Sequence, residues 1–139
     1  MRENGYTDFL PSANQDPWLS TLAHSRDGYV LAVVGGELDI ATASTLHRFL
    51  QSLLAEQPRI VVETTKLTFT DAIGIGVLLR AAAAAADNDG WIRLAGARPQ
   101  LRWLLALFAN NHLLPDYDSV EEAVGGKPWP AGQGRAVPR

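Results

Sequence analysis

The chain contains no cysteine. That excludes disulfides, thiolate metal sites and a cysteine nucleophile, and it suits a reducing compartment. No apolar run reaches the roughly 18 residues that a membrane-spanning helix needs, so no membrane association is expected. Basic excess is also missing: 12 Lys and Arg stand against 15 Asp and Glu, a net charge of −3. Direct nucleic-acid binding needs clustered cations and is not expected. The three histidines, His24, His47 and His112, lie far apart and in no metal-ligand spacing. A GxSxG elbow and a Walker A lysine motif are both absent. With no nucleophile, base or metal cluster converging, no enzymatic activity, cofactor or metal is expected. The first fifteen residues are polar and lack an apolar h-region, so a secretory signal is not expected and the cytoplasm is the expected location.

What is present is enough for one compact domain. The 139 residues are 47% hydrophobic and 19% charged, a globular and not a disordered composition. Residues 1–17 are rich in Asn, Asp, Gly and Pro and read as a flexible arm, with Tyr6, Phe9 and Leu10 as its apolar members. Residues 125–139 turn to Gly, Pro, Lys and Arg, and Lys127, Arg135 and Arg139 carry three positive charges with no acid between them. This reads as a disordered, solvated tail. The domain is expected between them, over residues 18–124.

Within that span, Trp18 to His24 and Tyr29 to Val34 flank the turn signal Arg26-Asp27-Gly28 and predict a hairpin ended by Gly35-Gly36. Leu46, Leu50, Leu53 and Leu54 fall on one face of a helix expected over Thr42 to Glu56. Arg59 to Thr64 is a short apolar run that suits a buried strand. Thr68-Phe69-Thr70 leads to Asp71, where a second helix starts and runs through the six alanines Ala81 to Ala86. Trp91 to Gly96 predicts a strand, with Trp91 in the core. A helix follows from Pro99 with a stripe at Leu101, Leu104, Leu105 and Phe108, ending at Asn110-Asn111. Trp103 lies beside that stripe, at its edge. Leu113-Leu114 reads as a short strand, and Ser119 with Glu122 forms a capping box for a helix over Val120 to Val124. Strands alternating with helices imply an α/β fold. The sheet is expected to be mixed, mainly parallel and four- to five-stranded, with helices packed mostly on one face.

One turn stands out on physical grounds. Asp71 precedes a helix and can cap its free N–H groups. Gly74 and Gly76 then sit in the first turns, where each costs about 1 kcal/mol relative to Ala. A close approach, internal or from a partner, would offset that cost. Ile73 and Ile75 flank Gly74. Either both form a flat apolar patch, or one points into the core and the other is tolerated. Asp39 reads as the N-cap of the first long helix.

Gly36-Glu37-Leu38-Asp39 and Phe69-Thr70-Asp71-Ala72-Ile73-Gly74-Ile75-Gly76-Val77-Leu78-Leu79, with the Leu113-Leu114-Pro115 and Asp118 to Ala123 end, resemble STAS domains of the anti-sigma factor antagonist type. The resemblance covers about Trp18 to Val124. It implies a protein-binding module that captures a serine-kinase-like anti-sigma factor, an ATPase, and so frees a sigma factor for transcription. It places the partner surface at Asp39, Thr70, Asp71, Ala72, Ile73, Gly74, Ile75 and Gly76. It also allows an alternative: a STAS scaffold or regulatory subunit of another assembly, such as a stress-sensing complex or a transporter system.

The sequence departs from the family at one place. Antagonists of this type carry a serine after the aspartate, which the anti-sigma factor phosphorylates. Here that residue is Ala72, followed by Ile73 where a second serine is common. The usual switch is therefore absent at its usual place. Binding without a switch, a partner outside the kinase class, or modification of Thr70 or Thr68 would each accommodate this, and the threonines rank lowest. Some STAS domains bind nucleotides. The helix start could attract a phosphate, but Asp71 and Asp39 would oppose it, so nucleotide binding is not expected. Gly74-Ile75-Gly76 is only a fragment of a dinucleotide fingerprint, because Leu79 holds the third glycine position. Trp129 in the tail is a conceivable docking anchor.

Overall fold

The computed structural model describes residues 16–109 and 112–126. Most of the expected arm and tail, with Trp129, and the Asn110-Asn111 helix end lie outside the described residues. In chain order the elements are β1 (Leu19–Arg26), β2 (Tyr29–Leu38), α1 (Ala43–Leu54), β3 (Arg59–Glu63), β4 (Leu67–Thr70), α2 (Ala72–Asp87), β5 (Trp91–Ala95), α3 (Pro99–Phe108), β6 (Asp116–Tyr117) and α4 (Val120–Val124). The sheet order is β1-β2-β3-β5-β6, with β4 also paired to β2. Only β1 and β2 are antiparallel; the other pairs run parallel. The six strands include two short ones, β4 and β6.

The hairpin runs further than its glycines suggest. Gly36 takes φ +99°, and a Cβ there would meet the Trp18 carbonyl oxygen, so only glycine fits. The pairing slips at Gly36 and Glu37, and β2 continues past the slip to Leu38 beside β4. Gly35-Gly36 is therefore a bulge inside β2 and not its end. β4 lies along the edge of β2 beyond the last residue of β3, joined to it by a turn in which the Leu67 N–H donates to the Thr64 carbonyl.

Helices α1, α2 and α3 cover one face. Leu46, Phe49, Leu50 and Leu53 of α1 meet Ile75, Leu78, Ala82 and Ala85 of α2 over Val30, Ala32, Val34, Ile60, Val62, Ile92 and Leu94 of the strands. The alanines let α2 lie close to the sheet and to α1. In α3 the buried stripe stops at Leu105: Ala106, Leu107 and Phe108 stand clear of the core, so Phe108 is exposed where the periodicity expects it buried. Leu114 is a buried turn residue and not a strand. The strand begins after Pro115, whose lack of an N–H suits a strand start and whose carbonyl accepts from the Leu94 N–H.

The second face has a smaller cover. Val61, Ala95, Tyr117 and Ala123 form its core, with Trp91, Tyr29, Leu31 and Val120 packed around them. Trp91 thus belongs to this half-buried cluster and not to the main core. Arg93 fastens α4 onto it. Its guanidinium lies 3.9 Å from the Trp91 ring centroid and its Nη1 donates to the carbonyls of Ala123 at 2.9 Å and Val124 at 3.3 Å. These carbonyls end a five-residue helix that could not persist alone. Burial lowers the Arg93 pKa, Tyr117 raises it and Arg59 lowers it further. Arg93→Met should keep the apolar stem and lose the clamp, at about 1–3 kcal/mol for hydrogen bonds from a charged donor. Chemical denaturation measures the loss, and amide exchange should rise first at residues 120–124. Unchanged exchange there would remove the clamp from this account.

Candidate protein-binding surface

Two acids end two neighbouring parallel strands. Leu38 pairs with Thr70, so Asp39 and Asp71, the next residues, emerge side by side at a strand spacing of about 5 Å. Each carboxylate is engaged by backbone. Asp71 is the N-cap of α2, and its Oδ1 accepts from the Gly74 N–H at 3.1 Å. Asp39 is not the N-cap of α1; Thr42 is. Asp39 Oδ1 accepts instead from the N–H groups of Ala41 at 2.9 Å and Thr42 at 3.3 Å, in the turn before the helix. The Thr42 hydroxyl donates to the Glu37 carbonyl at 2.7 Å and accepts from the Asp39 N–H at 3.1 Å. α1 begins where the leucine periodicity puts it, just after Thr42, and Asp39, three residues earlier, organises the turn.

The expected site residues divide into a surface and its support. Ala72 is exposed, Ile73 is 43% exposed, and Asp39, Asp71 and Gly76 are half-buried. Ile75 is buried in the core, so of the two isoleucines only Ile73 faces outward. Thr70 is 1% exposed. Its hydroxyl lies where a Gly74 Cβ would come within 2.5 Å of it, and its N–H donates to Gln100 Oε1 at 3.1 Å. Thr70, Gly74 and Ile75 therefore hold the turn from behind. Thr68 is exposed, and its hydroxyl donates to the Gly36 carbonyl at 3.0 Å.

Sequence reasoning missed the apolar neighbours of this turn. Ile40, 75% exposed, follows Asp39. Phe69, 41% exposed, pairs with Glu37 on β2. Ile40, Phe69 and Ile73 thus project at one end of the sheet, among the carboxylates of Glu37, Asp39 and Asp71. Apolar knobs among charges have the make-up of an interaction surface. The signal in the sequence is that Ile40 follows Asp39 and Phe69 lies two residues before Asp71, at strand ends where core residues are not expected.

The two glycines have different causes. A Cβ on Gly74 would lie 2.6 Å from Leu38 Cγ as well as against Thr70, so α2 enters over β2 and β4 only with glycine there. The close approach is internal and made by side chains. A Cβ on Gly76 would meet nothing nearer than Arg80 Nη1, at 3.5 Å. Gly74→Ala should destabilise by about 1–3 kcal/mol through overpacking. Gly76→Ala should stabilise by up to about 1 kcal/mol through helix propensity. Paired thermal melts test the contrast, and equal shifts for both would refute it.

Among the described residues no group of three His, Cys, Asp or Glu side chains could hold a metal ion, and no helix is long and apolar enough to cross a membrane. At this corner carboxylates already accept from the N–H groups of Ala41, Thr42 and Gly74, and a phosphate would meet their charge.

Comparison with known proteins agrees with this architecture. A family model described as "Mlab, STAS domain" matches residues 20–115. No curated protein sequence matches the chain. Among solved structures, an anti-sigma factor antagonist from Mycobacterium paratuberculosis superposes with a TM-score of 0.68 at 23% identity, covering 79% of this chain and 95% of that one. The Bacillus cell fate determinant SpoIIAA in its phosphorylated form superposes at 0.61 and 18% identity, covering 76% and 97%. A murine anion transporter of solute carrier family 26 superposes at 0.64 and 14% identity, covering 81% of this chain and 22% of the transporter. At these identities the likeness is one of fold, and it joins the sequence match and the Asp71-to-Gly76 turn in a single conclusion: the chain belongs to the STAS domain family.

Proposed function

We propose that this chain is an anti-sigma factor antagonist, a cytoplasmic binding module without catalytic activity of its own. It captures a serine-kinase-like anti-sigma factor and so releases a sigma factor for transcription. The observation that carries this reading is the exposed Ala72-Ile73 turn, beside Ile40 and Phe69 and close to the Asp39 and Asp71 carboxylates. The antagonists that this turn resembles meet their partner there, and the solved antagonists share the fold.

The same turn argues for binding without the usual phosphorylation. Ala72 faces solvent, so a serine in its place would be open to a kinase; the missing hydroxyl is a chemical loss and not a consequence of burial. Thr70 offers no substitute, since its hydroxyl is packed under Gly74. Thr68 is open to solvent, but its hydroxyl is engaged by Gly36. Capture is then controlled by the amounts of the two proteins and not by a charge added to this one.

A second reading has its own support. The likeness to a domain borne by an anion transporter favours a STAS subunit of a transporter assembly. Partner and stoichiometry separate the two: a 1:1 complex with a kinase-like protein supports the first, and co-purification in a large membrane assembly supports the second.

The experiment is a calorimetric titration of the full chain into a kinase-like anti-sigma factor from the same organism, with and without ATP. Native chain should bind equally in both conditions. Ala72→Glu should weaken binding tenfold or more, because the new carboxylate lies in the contact beside Asp39 and Asp71. Ala72→Ser should become a phosphate acceptor and lose affinity once ATP is added. Unchanged affinity for Ala72→Glu would remove this turn from the interface.

A further inference from the structure

A groove of about 150 Å³ lies between α1 and α2, lined by His47, Leu50, Gln51 and Leu54 from one wall and Arg80, Ala81 and Ala84 from the other. Its floor is apolar: Leu50 is buried, and Leu54, Ala81 and Ala84 are half-buried. Its mouth is not. His47 and Arg80 are both exposed there, one on each wall.

Size restricts the occupant. Nucleotides and drug-sized ligands occupy about 300–1,000 Å³. A cavity of about 150 Å³ takes something the size of benzene, which is the size of one large apolar side chain. Charge restricts it further. Arg80 makes no ion pair or hydrogen bond among the described residues. The acids nearest the far ends of the two helices, Glu56 and Asp87, do not reach it.

The position of Arg80 Nη1 beside Gly76 fixes how the side chain lies. Helical side chains lean toward the N-terminus, and Arg80 Nη1 lies 3.5 Å from where a Gly76 Cβ would stand. The guanidinium therefore lies back along α2 toward Ile73, between the groove and the turn at Ala72. Ile73, Gly76, Arg80 and Ala83 follow one another at helical spacing on the outward side of α2.

We propose that this groove seats one apolar side chain of a protein partner, and that Arg80 pairs with a carboxylate next to that side chain. The docking segment is thus amphipathic and acidic. It is a second contact, on the opposite side of Ile73 from the acidic corner at Asp39 and Asp71, which repels the same segment and so sets its direction. This rests on the reading of the chain as a protein-binding module.

Two measurements test it. In the first, the isotope-labelled full chain is titrated with 4-methylpentanoate, which joins an apolar branch to a carboxylate, and with 4-methylpentylamine. The carboxylate should shift the Leu50, Leu54, Ala81 and Ala84 signals and Arg80 Nε. Arg80→Glu and Ala84→Phe should abolish the shifts, and the amine should leave these residues unmoved. Absence of carboxylate shifts, or equal shifts with the amine, overturns the proposal. In the second, the kinase-like partner is titrated with Arg80→Glu, Arg80→Lys and Ile73→Glu chains whose melting temperatures are matched to the native chain. Arg80→Glu should lower affinity tenfold or more, and Arg80→Lys should retain most of it. Loss of binding with Ile73→Glu but not with Arg80→Glu would overturn the groove contact while leaving the turn as the interface. Failure of the native chain to bind would instead refute the partner assignment, and the groove would then stand or fall on the carboxylate titration.

Discussion

Everything at the functional end of this domain depends on how closely α2 approaches Leu38. Gly74 lies where any side chain would strike Leu38 and the Thr70 hydroxyl. The Asp71 N–H donates to the Leu38 carbonyl, and Asp71 in turn accepts from Gly74. Strand end, cap and first helical turn are thus one unit. With α2 pressed this far down, Ile75 enters the core and Ile73 cannot follow it. The exposed apolar residue at the turn is a geometric consequence of the buried one two positions later.

The same unit governs the chemistry. Both helix starts at this end point partial positive charge toward solvent, which elsewhere makes an anion site. Here Asp39 and Asp71 already accept from the Ala41, Thr42 and Gly74 N–H groups, so a further anion meets two carboxylates. An added phosphate at position 72 would be destabilising in a contact, which is the logic of a charge switch. Alanine at that position has no hydroxyl to carry one. The corner is apolar in the middle and acidic around it, whereas the α1/α2 groove ends in Arg80 and His47.

The opposite face shows how little cover such a sheet requires. Three long helices shield one side. On the other, a five-residue helix suffices, because Arg93 satisfies its last carbonyls and stacks on Trp91 at the same time. An arginine with a lowered pKa is the mark of that partial burial, and the clamp leaves β1 and the outer part of β2 relatively open, with Leu22 and Trp18 exposed.

Much of this was written in local sequence. Periodicity decides the helices over Thr42 to Glu56 and from Asp71 through the alanines, because leucine and alanine spacing at 3.6 residues can be buried in only one way. The Asp71 cap, Pro99 at a helix start and Ser119 with Glu122 are one-turn interactions and therefore legible one turn at a time. Ala72 in place of serine is likewise a fact of sequence alone. Contacts between distant segments decided the rest. Pairing with β4 carries β2 past Gly35-Gly36, which the local turn signal marked as its end. β4 and β6 are too short to announce themselves and exist only by pairing with β2 and β5. Phe108 is exposed because the helix outruns the core beneath it. Local sequence thus determined that an aspartate and two glycines open α2. Only the packing of that helix against Leu38 decided that Gly74 serves the core, that Gly76 does not, and that Ile73 is the isoleucine left facing solvent.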